Sequence, residues 1–357
     1  MFKIGEINVK DVHVGKHQVS KLYVGNTEIW KQSPSNNWVT FTAQAANSTI
    51  GLNKLSTNQT LEYSTDGDNW TSMTTATTIT LSNSGDSVYI RGVLSGNNTS
   101  EDYTQFRMTG TIAASNNCNY LWNYSNPNAP LKQFCGCFLF RNCTSLTTVP
   151  ELPTTTLATG CYGYMFSSCT SLTTPPELPA TTLAYSCYQG IFANCTSLTT
   201  APELPATTLV YGCYSGMFNG CTSLTTAPEL LVTTLVYGCY TSMFNYCTSL
   251  ATSPELPATT LAIGCYSGMF SNCTSLTTAP ELPATILKDY CYSDMFRGCT
   301  NLNYIKCLAT DISATDCTKN WVNSVSNSGT FVKNSEMSSW TTGNNGIPVN
   351  WSVEYAE

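Results

Sequence analysis

Charge is scarce in this 357-residue chain: Lys, Arg, Asp and Glu make up 10% of it, against roughly 25% in an ordinary soluble domain. Fifteen basic residues give too few phosphate contacts for a nucleic-acid binder, because such contacts supply most of that affinity. Histidine is nearly missing. His13 and His17 are the two, and their absence beyond residue 17 removes Ser-His and Cys-His nucleophile systems from the rest of the chain. No Gly-rich phosphate loop with its Lys occurs. No apolar run approaches the ~18–20 residues of a transmembrane helix. The start, MFKIGEINVKDVHVG, lacks the apolar stretch and cleavage site of a signal peptide. Disorder is excluded by 42% apolar and 11% aromatic residues. The polarity therefore comes from uncharged Thr, Ser and Asn.

Cysteine, by contrast, is abundant at eighteen residues, and an internal repeat accounts for it. CTSL recurs at Cys143, Cys169, Cys195, Cys221, Cys247 and Cys273, with CTNL at Cys299, always 26 residues apart. A second series, Cys135, Cys161, Cys187, Cys213, Cys239, Cys265, Cys291 and Cys317, runs at the same step. Cys118, Cys137 and Cys307 stand outside both. A fixed period of this size predicts a solenoid, in which stacking completes a core that no single coil can bury.

Within a unit, SLTTAP reads as a short Thr-rich strand with Leu172, Leu198, Leu224, Leu250 and Leu276 pointing inward. PELP reads as a turn, since Pro interrupts both helix and inner strand. TTL supplies a Thr cap before a helical turn or two. Leu183, Cys187 and Ile191, like Leu209, Cys213 and Met217, sit at i, i+4 and i+8 and predict one buried helical stripe. Phe166, Phe192, Phe218, Phe244, Phe270 and Phe296 fill a coil corner. In-register cysteines then form ladders of small buried residues. Zinc sites and disulfides are the rival readings. The spacing C-x7-C without His suits zinc poorly, and side chains pointing in parallel suit bridging poorly.

The repeat unit, seen as CTSLTTAPELPATTL at residues 195–209 and MFNGCTSLTTAPEL at 217–230, resembles the BspA-like leucine-rich repeats of bacterial surface proteins and of bacteriophages that infect gut bacteria. The resemblance covers about residues 135–310. The tail from TDCTKNW to NWSV is similar to the closure that follows such arrays, with Trp321, Phe331, Trp340 and Trp351 covering the last coil. It implies binding and adhesion without catalysis or a cofactor.

Two modules precede the repeats. In the first thirty residues Gly5, Gly15 and Gly25 are ten apart, as are Phe2, Val12 and Leu22, which predicts successive strands and tight turns. A piece this small needs a partner to hold a core. KLYVGNTEIW resembles β-modules near the N-termini of phage tail and fibre proteins, and Phe2, Val12, Leu22 and Trp30 are its candidate attachment residues. His13 and His17 read as a solvated pair. Residues 37–113 alternate as half-buried strands between DG and SG turns, predicting an immunoglobulin-like β-sandwich. Asp66 and Asp68 around Gly67 suggest calcium only weakly, and a plain turn is the simpler reading.

The fold class expected is thus mainly β with short helices. It comprises a β attachment or oligomerisation module at 1–32, an immunoglobulin-like β-sandwich at 33–113, a BspA-like leucine-rich-repeat solenoid with its N-terminal cap at 114–310, and a C-terminal cap at 311–357.

Two rows of side chains bear on function. Glu151, Glu177, Glu203, Glu229, Glu255 and Glu281 form a carboxylate row, but six equivalent groups are a repeat feature, whereas glycoside hydrolysis needs two inequivalent carboxylates. The better candidate is the aromatic stripe Tyr185, Tyr211 and Tyr237, two residues after the TTL leucine, continued by Ile263 and Asp289. On an uncharged Thr/Ser surface it suits sugar rings. The simpler reading is that the rings merely pack against neighbouring turns. The expectation is a non-enzymatic phage virion protein, a tail or capsid fibre, assembled in the host bacterial cytoplasm and extracellular after release. Its partners would be other virion proteins through residues 1–32 and host cell-surface glycan or protein. Neither nucleic acid nor membrane insertion is expected, no metal site is assigned, and a homotrimer is favoured. A purely structural decoration or collar protein and a bacterial surface adhesin are the alternatives.

Overall fold

The structure, a computed structural model, describes residues 37–94, 101–337 and 340–356, together with the backbone of six short strands in the first 31 residues. Those six strands form three antiparallel pairs: β1 (Phe2–Ile4) with β2 (Ile7–Val9), β3 (Val12–Val14) with β4 (His17–Val19), and β5 (Lys21–Val24) with β6 (Thr27–Lys31). The ten-residue period thus corresponds to one strand pair per repeat. Phe2, Val12, Leu22 and Trp30 stand on these strands, and their side chains lie outside the described residues, as do those of His13 and His17.

Eight strands follow: β7 (Val39–Ala43), β8 (Ser48–Lys54), β9 (Thr60–Ser64), β10 (Thr71–Ser72), β11 (Thr78–Leu81), β12 (Ser87–Val93), β13 (Gln105–Thr109) and β14 (Ile112–Ser115). They make two sheets, β10-β9-β12-β7-β14 and β11-β8-β13, each antiparallel throughout. Period-two alternation buries Val88, Ile90 and Gly92 of β12 while the residues between them stay half-exposed. Val39, Phe41 and Ile90 of one sheet and Ile50, Leu52 and Phe106 of the other are fully buried in one core, with the Phe41 and Phe106 rings 5.6 Å apart. At Asp66 the carboxylate accepts the Asn69 and Asp68 amides at 2.8 and 2.9 Å and the Asn69 side-chain amide at 2.7 Å. These bonds, the Asn69 amide foremost, hold its carboxyl well below the usual carboxylate range. Its oxygens are occupied by its own turn.

Edge strands of both sheets, β14 and β13, run straight into the repeats. Strand β14 pairs in parallel with β15 (Leu146–Thr148), and the Phe106, Ile112 and Cys118 amides donate to Leu139, Ser145 and Glu151 carbonyls at 2.8–2.9 Å. The two-sheet domain therefore closes the first coil, assisted by α1 (Asn119–Asn123), which buries Leu121 and Trp122.

The segment after TTL is not helical, contrary to the stripe of Leu183, Cys187 and Ile191. In the coil around Cys213, amides alternate between two destinations. Cys213, Met217 and Cys221 donate three residues back in their own coil, at 3.0–3.2 Å. Tyr214, Gly216, Phe218 and Gly220 donate to the next coil, 25 residues on, at 2.7–3.1 Å. Every fourth residue is left-handed, with φ of 59° at Gly212, 60° at Gly216 and 76° at Gly220. An α-helix cannot contain such residues, so the chain makes a string of turns with a period of four. Two adjacent residues per turn face inward: Cys213 with Tyr214, then Met217 with Phe218, all at most 1% exposed. The i, i+4, i+8 spacing is real, but it belongs to this turn period; a helix of 3.6 residues per turn would drift ~40° at each step.

The Thr-rich side also departs from expectation. The sequence predicts a strand in every coil, whereas a strand forms in the first, β15, and at the last, Tyr304–Cys307. Between them this ladder thins to single bridges, Thr200 to Thr226 and Thr278 to Tyr304, while the TTL segment has bridges of its own, Thr156 to Thr182 and Thr234 to Thr260. The flanking prolines, which lack an amide donor, interrupt any longer pairing.

Columns of equivalent side chains fill the interior, the inward leucines Leu172, Leu198, Leu224, Leu250 and Leu276 among them, and three further columns carry rings or thiols. Phe140, Phe166, Phe192, Phe218, Phe244, Phe270 and Phe296 stack at 5.6–6.0 Å, continuing Phe41 and Phe106. Tyr162, Tyr188, Tyr214, Tyr240, Tyr266 and Tyr292 form a second column, unforeseen from the sequence, at 5.9–6.2 Å. Trp122 begins it, and Trp321 ends both, 6.3 Å from Tyr292 and 6.2 Å from Phe296. The third column is cysteine. All eighteen cysteines are buried and free. From Cys169 to Cys299 each CTSL or CTNL thiol points at the carbonyl of a Phe 29 residues earlier, at 3.0–3.2 Å. A compact side chain with a weak S–H donor fits this place, where a larger apolar residue would overpack.

At the C-terminal end β16 (Tyr304–Cys307), β17 (Thr330–Lys333) and β18 (Ser352–Tyr355) form a parallel sheet. Trp340 stacks on Trp321 at 5.6 Å, Phe331 meets it edge-on, and the Trp351 indole donates to the Ser326 carbonyl at 2.8 Å. Among the described residues no helix is long and apolar enough to cross a membrane.

Candidate functional site

The turn period dictates which side chains leave the coil. The residue just before each left-handed position points outward, and at the first turn of three successive coils that residue is Tyr185, Tyr211 and Tyr237. They are 50%, 41% and 49% exposed. Their rings stack on one another, 4.3 Å apart at 7° and 4.8 Å apart at 8°. Both faces of Tyr211 are therefore covered by its neighbours. What the row offers outward is its ring edges, its hydroxyls and the two end faces, of Tyr185 and Tyr237. The Tyr185 hydroxyl lies close enough to hydrogen-bond Tyr211 and raise its pKa. The structure thus brings the three candidate residues together and turns them away from the core. Stacking of sugar on the middle ring would require the row to open.

Beside the row runs a groove of about 330 Å3 lined by Tyr211, Tyr237, Ile263 and Tyr290. It exists because the left-handed residue that follows each stripe position is Gly212, Gly238 and Gly264 in successive coils. Three side chains are missing from one column, and Ser215, Thr241 and Ser267 add hydroxyls to the lining. Tyr290, 43% exposed, occupies the corresponding left-handed position in the next coil and bounds the groove. Sequence reasoning passed over this glycine column and over Tyr290. The signal was present as the repeated pairs Tyr211-Gly212, Tyr237-Gly238 and Ile263-Gly264. Asp289, last in the stripe, accepts the Thr315 amide at 2.9 Å and so caps the following coil.

The six glutamates of the carboxylate row are all exposed, and Glu281 pairs with Lys306 at 3.0 Å. Among the described residues no group of His, Cys, Asp and Glu is arranged to hold a metal ion.

A family model of the BspA type leucine rich repeat region matches residues 114–251 and 232–325, in six copies. No curated protein and no solved structure matches the chain. The matched segments span more than half of the chain and coincide with the stacked coils, ending before β17 and β18, so the chain belongs to the family of BspA-type leucine-rich-repeat proteins.

Proposed function

We propose that this chain is a non-enzymatic adhesion protein whose repeat solenoid binds a neutral cell-surface glycan along the tyrosine row and its groove. The observation that carries the reading is the exposed row of three phenols beside a groove lined with glycine, serine and threonine. Surface-type adhesion is what BspA-type repeats suggest, and the tyrosine position supplies a face for it. Phenol and Ser/Thr hydroxyls both donate and accept hydrogen bonds, and the groove lining carries no charged side chain. A polyhydroxylated uncharged ligand matches that inventory better than an acidic or basic one.

In the finer form of this reading the protein is a phage virion appendage, a tail or capsid fibre. Residues 1–32 attach it to the particle as an oligomer, a trimer being favoured, and the two-sheet domain is an immunoglobulin-like sandwich. The support is the resemblance of KLYVGNTEIW to phage tail β-modules, together with three strand pairs in that stretch. The test is retention of the full chain on bacterial cells and on arrayed glycans. Replacing Tyr185, Tyr211 and Tyr237 by Ser together is expected to lower retention at least about tenfold without changing the melting temperature. Equal retention of the variant, or retention that survives removal of surface glycan but not protease, would overturn the glycan reading. Binding to nothing would favour a structural decoration protein.

A further inference from the structure

A second concavity lies among other residues, where one coil departs from the repeat. In five of the six coils that carry a PEL turn the motif is PELP, but residues 228–231 read Pro-Glu-Leu-Leu, followed by Val232. There the Thr ladder opens. Thr156 bridges Thr182 and Thr234 bridges Thr260, but among the described residues the backbone of Thr207, Thr208 and Leu209 makes no hydrogen bond to either neighbouring coil. Between this segment and residues 227–236 is a cavity of about 830 Å3, within the ~300–1,000 Å3 range of small-molecule sites. Its walls include Leu204, Leu209, Leu230 and Val232, and Tyr214 and Tyr240 of the buried column line it as well.

Those two tyrosines point to a ligand. Each is at most 2% exposed as a residue and lines the cavity, and no hydrogen bond joins either hydroxyl to another of the described residues. The column members Tyr162, Tyr188 and Tyr292 also carry hydroxyls without partners, but theirs are sealed from any probe. The concavities between other PEL turns, at residues 174–179 with 200–205 and at 253–257 with 280–283, reach no tyrosine. Of these three concavities among the described residues, the one at residues 207–209 and 227–236 is the one that the phenol column lines. The Tyr214 and Tyr240 hydroxyls are not among the sealed ones, so a ligand acceptor in the cavity can take their protons in place of water. Glu203 and Glu229, which also line the cavity and are exposed, disfavour an anionic ligand there.

We infer that this cavity binds a neutral small molecule with an apolar body and a hydrogen-bond-accepting end, such as a carbonyl, which takes the Tyr214 and Tyr240 hydroxyl protons in hydrogen bonds. The ligand is held by burial along the leucine walls and oriented by the two phenols.

The probe is Nile red, an uncharged dye with a carbonyl acceptor, titrated into the full chain. One dye per chain is expected to bind with a saturable rise in fluorescence. 2-Undecanone should displace it, whereas decanoate, of similar length but anionic, should not. Replacing Tyr214 and Tyr240 by Phe should weaken binding at least about fivefold, the loss of roughly one hydrogen bond. Val232→Trp should abolish it by filling the cavity, and Tyr162→Phe, at a sealed hydroxyl, should leave it unchanged. Absence of saturable binding, equal displacement by decanoate, or binding indifferent to the Tyr214/Tyr240 pair or to Val232→Trp would overturn the proposal. Competition on the unaltered protein decides the matter even if a variant fails to fold.

Discussion

Tyr162 shows how narrowly each residue is specified in a stacked core. Its ring is fully buried between Trp122 and Tyr188, while its hydroxyl has no partner and no access to water. Tyr162→Phe keeps the stacking and removes an unmet polar group, so it should stabilise the protein by about 1 kcal/mol, read from urea unfolding. The cysteines obey the opposite rule, because their polar atom is used. Burial pushes the Cys143, Cys195 and Cys299 thiols up to about 12, which leaves almost no thiolate at neutral pH. A thiol reagent at pH 8 should therefore label none of the buried ladder within minutes in the native protein and all eighteen cysteines in denaturant. Rapid native labelling of Cys195 or Cys221 would contradict the described packing.

At the scale of the element, the four-residue turn makes its own predictions. Gly216 and Gly220 share a left-handed conformation but not the same surroundings. A Cβ on Gly216 meets only Asn219, at 4.0 Å, whereas one on Gly220 would run into the Asn194 side chain of the preceding coil. Gly216→Ala should cost about 1–2 kcal/mol from backbone conformation alone, and Gly220→Ala distinctly more, since Asn194 must also move. Equal losses in thermal unfolding would show that inter-coil contact at this column is unimportant. The turn pattern also explains the stripe. A residue placed just before a left-handed glycine has nowhere to go but outward, so three tyrosines recurring at that register become a surface row.

For the whole molecule, the continuity of the aromatic columns matters most. They begin in the two-sheet domain at Phe41 and Trp122 and end on Trp321, so both ends of the repeat core are covered by non-repeat structure. Because each coil touches only its neighbours, excision of residues 221–246, one full period, should leave a folded protein. Trp321→Ala, which uncovers two columns at once, should cost about 3–5 kcal/mol and expose hydrophobic surface to dye.

The buried thiols act together in alkali. Their pKa values rise from 9.0 towards about 12 on folding, so the folded state holds protons that the unfolded state releases. The stability this gives is full below about pH 9 and is lost as pH rises from there towards 12. Each buried thiol costs roughly 1.4 kcal/mol by pH 10, and more than a dozen of them would exceed a typical total stability of ~5–15 kcal/mol. Cooperative unfolding between about pH 9 and 10.5, followed by circular dichroism, is expected.

The sequence alone determined the period, the two cysteine series, the inward Leu and Phe columns and the recurrence of Tyr185, Tyr211 and Tyr237 at one register, because a 26-residue repetition averages away local ambiguity and shows which positions are held in common. It did not determine the local conformation. Leu183, Cys187 and Ile191 fit a helix and a four-residue turn equally well, and the choice rests on amides that bond 25 residues away, as from Tyr188 to Cys213. The tyrosine row was legible by position, but its ring-on-ring stacking was not, since that depends on coil spacing. Likewise the cavity at Tyr214 and Tyr240 appears only when coils are laid side by side and residues 207–209 bond to neither neighbour. Composition and period are properties of a single coil. Turn type, ring stacking and cavities belong to the contact between coils, and only the tertiary structure contains that contact.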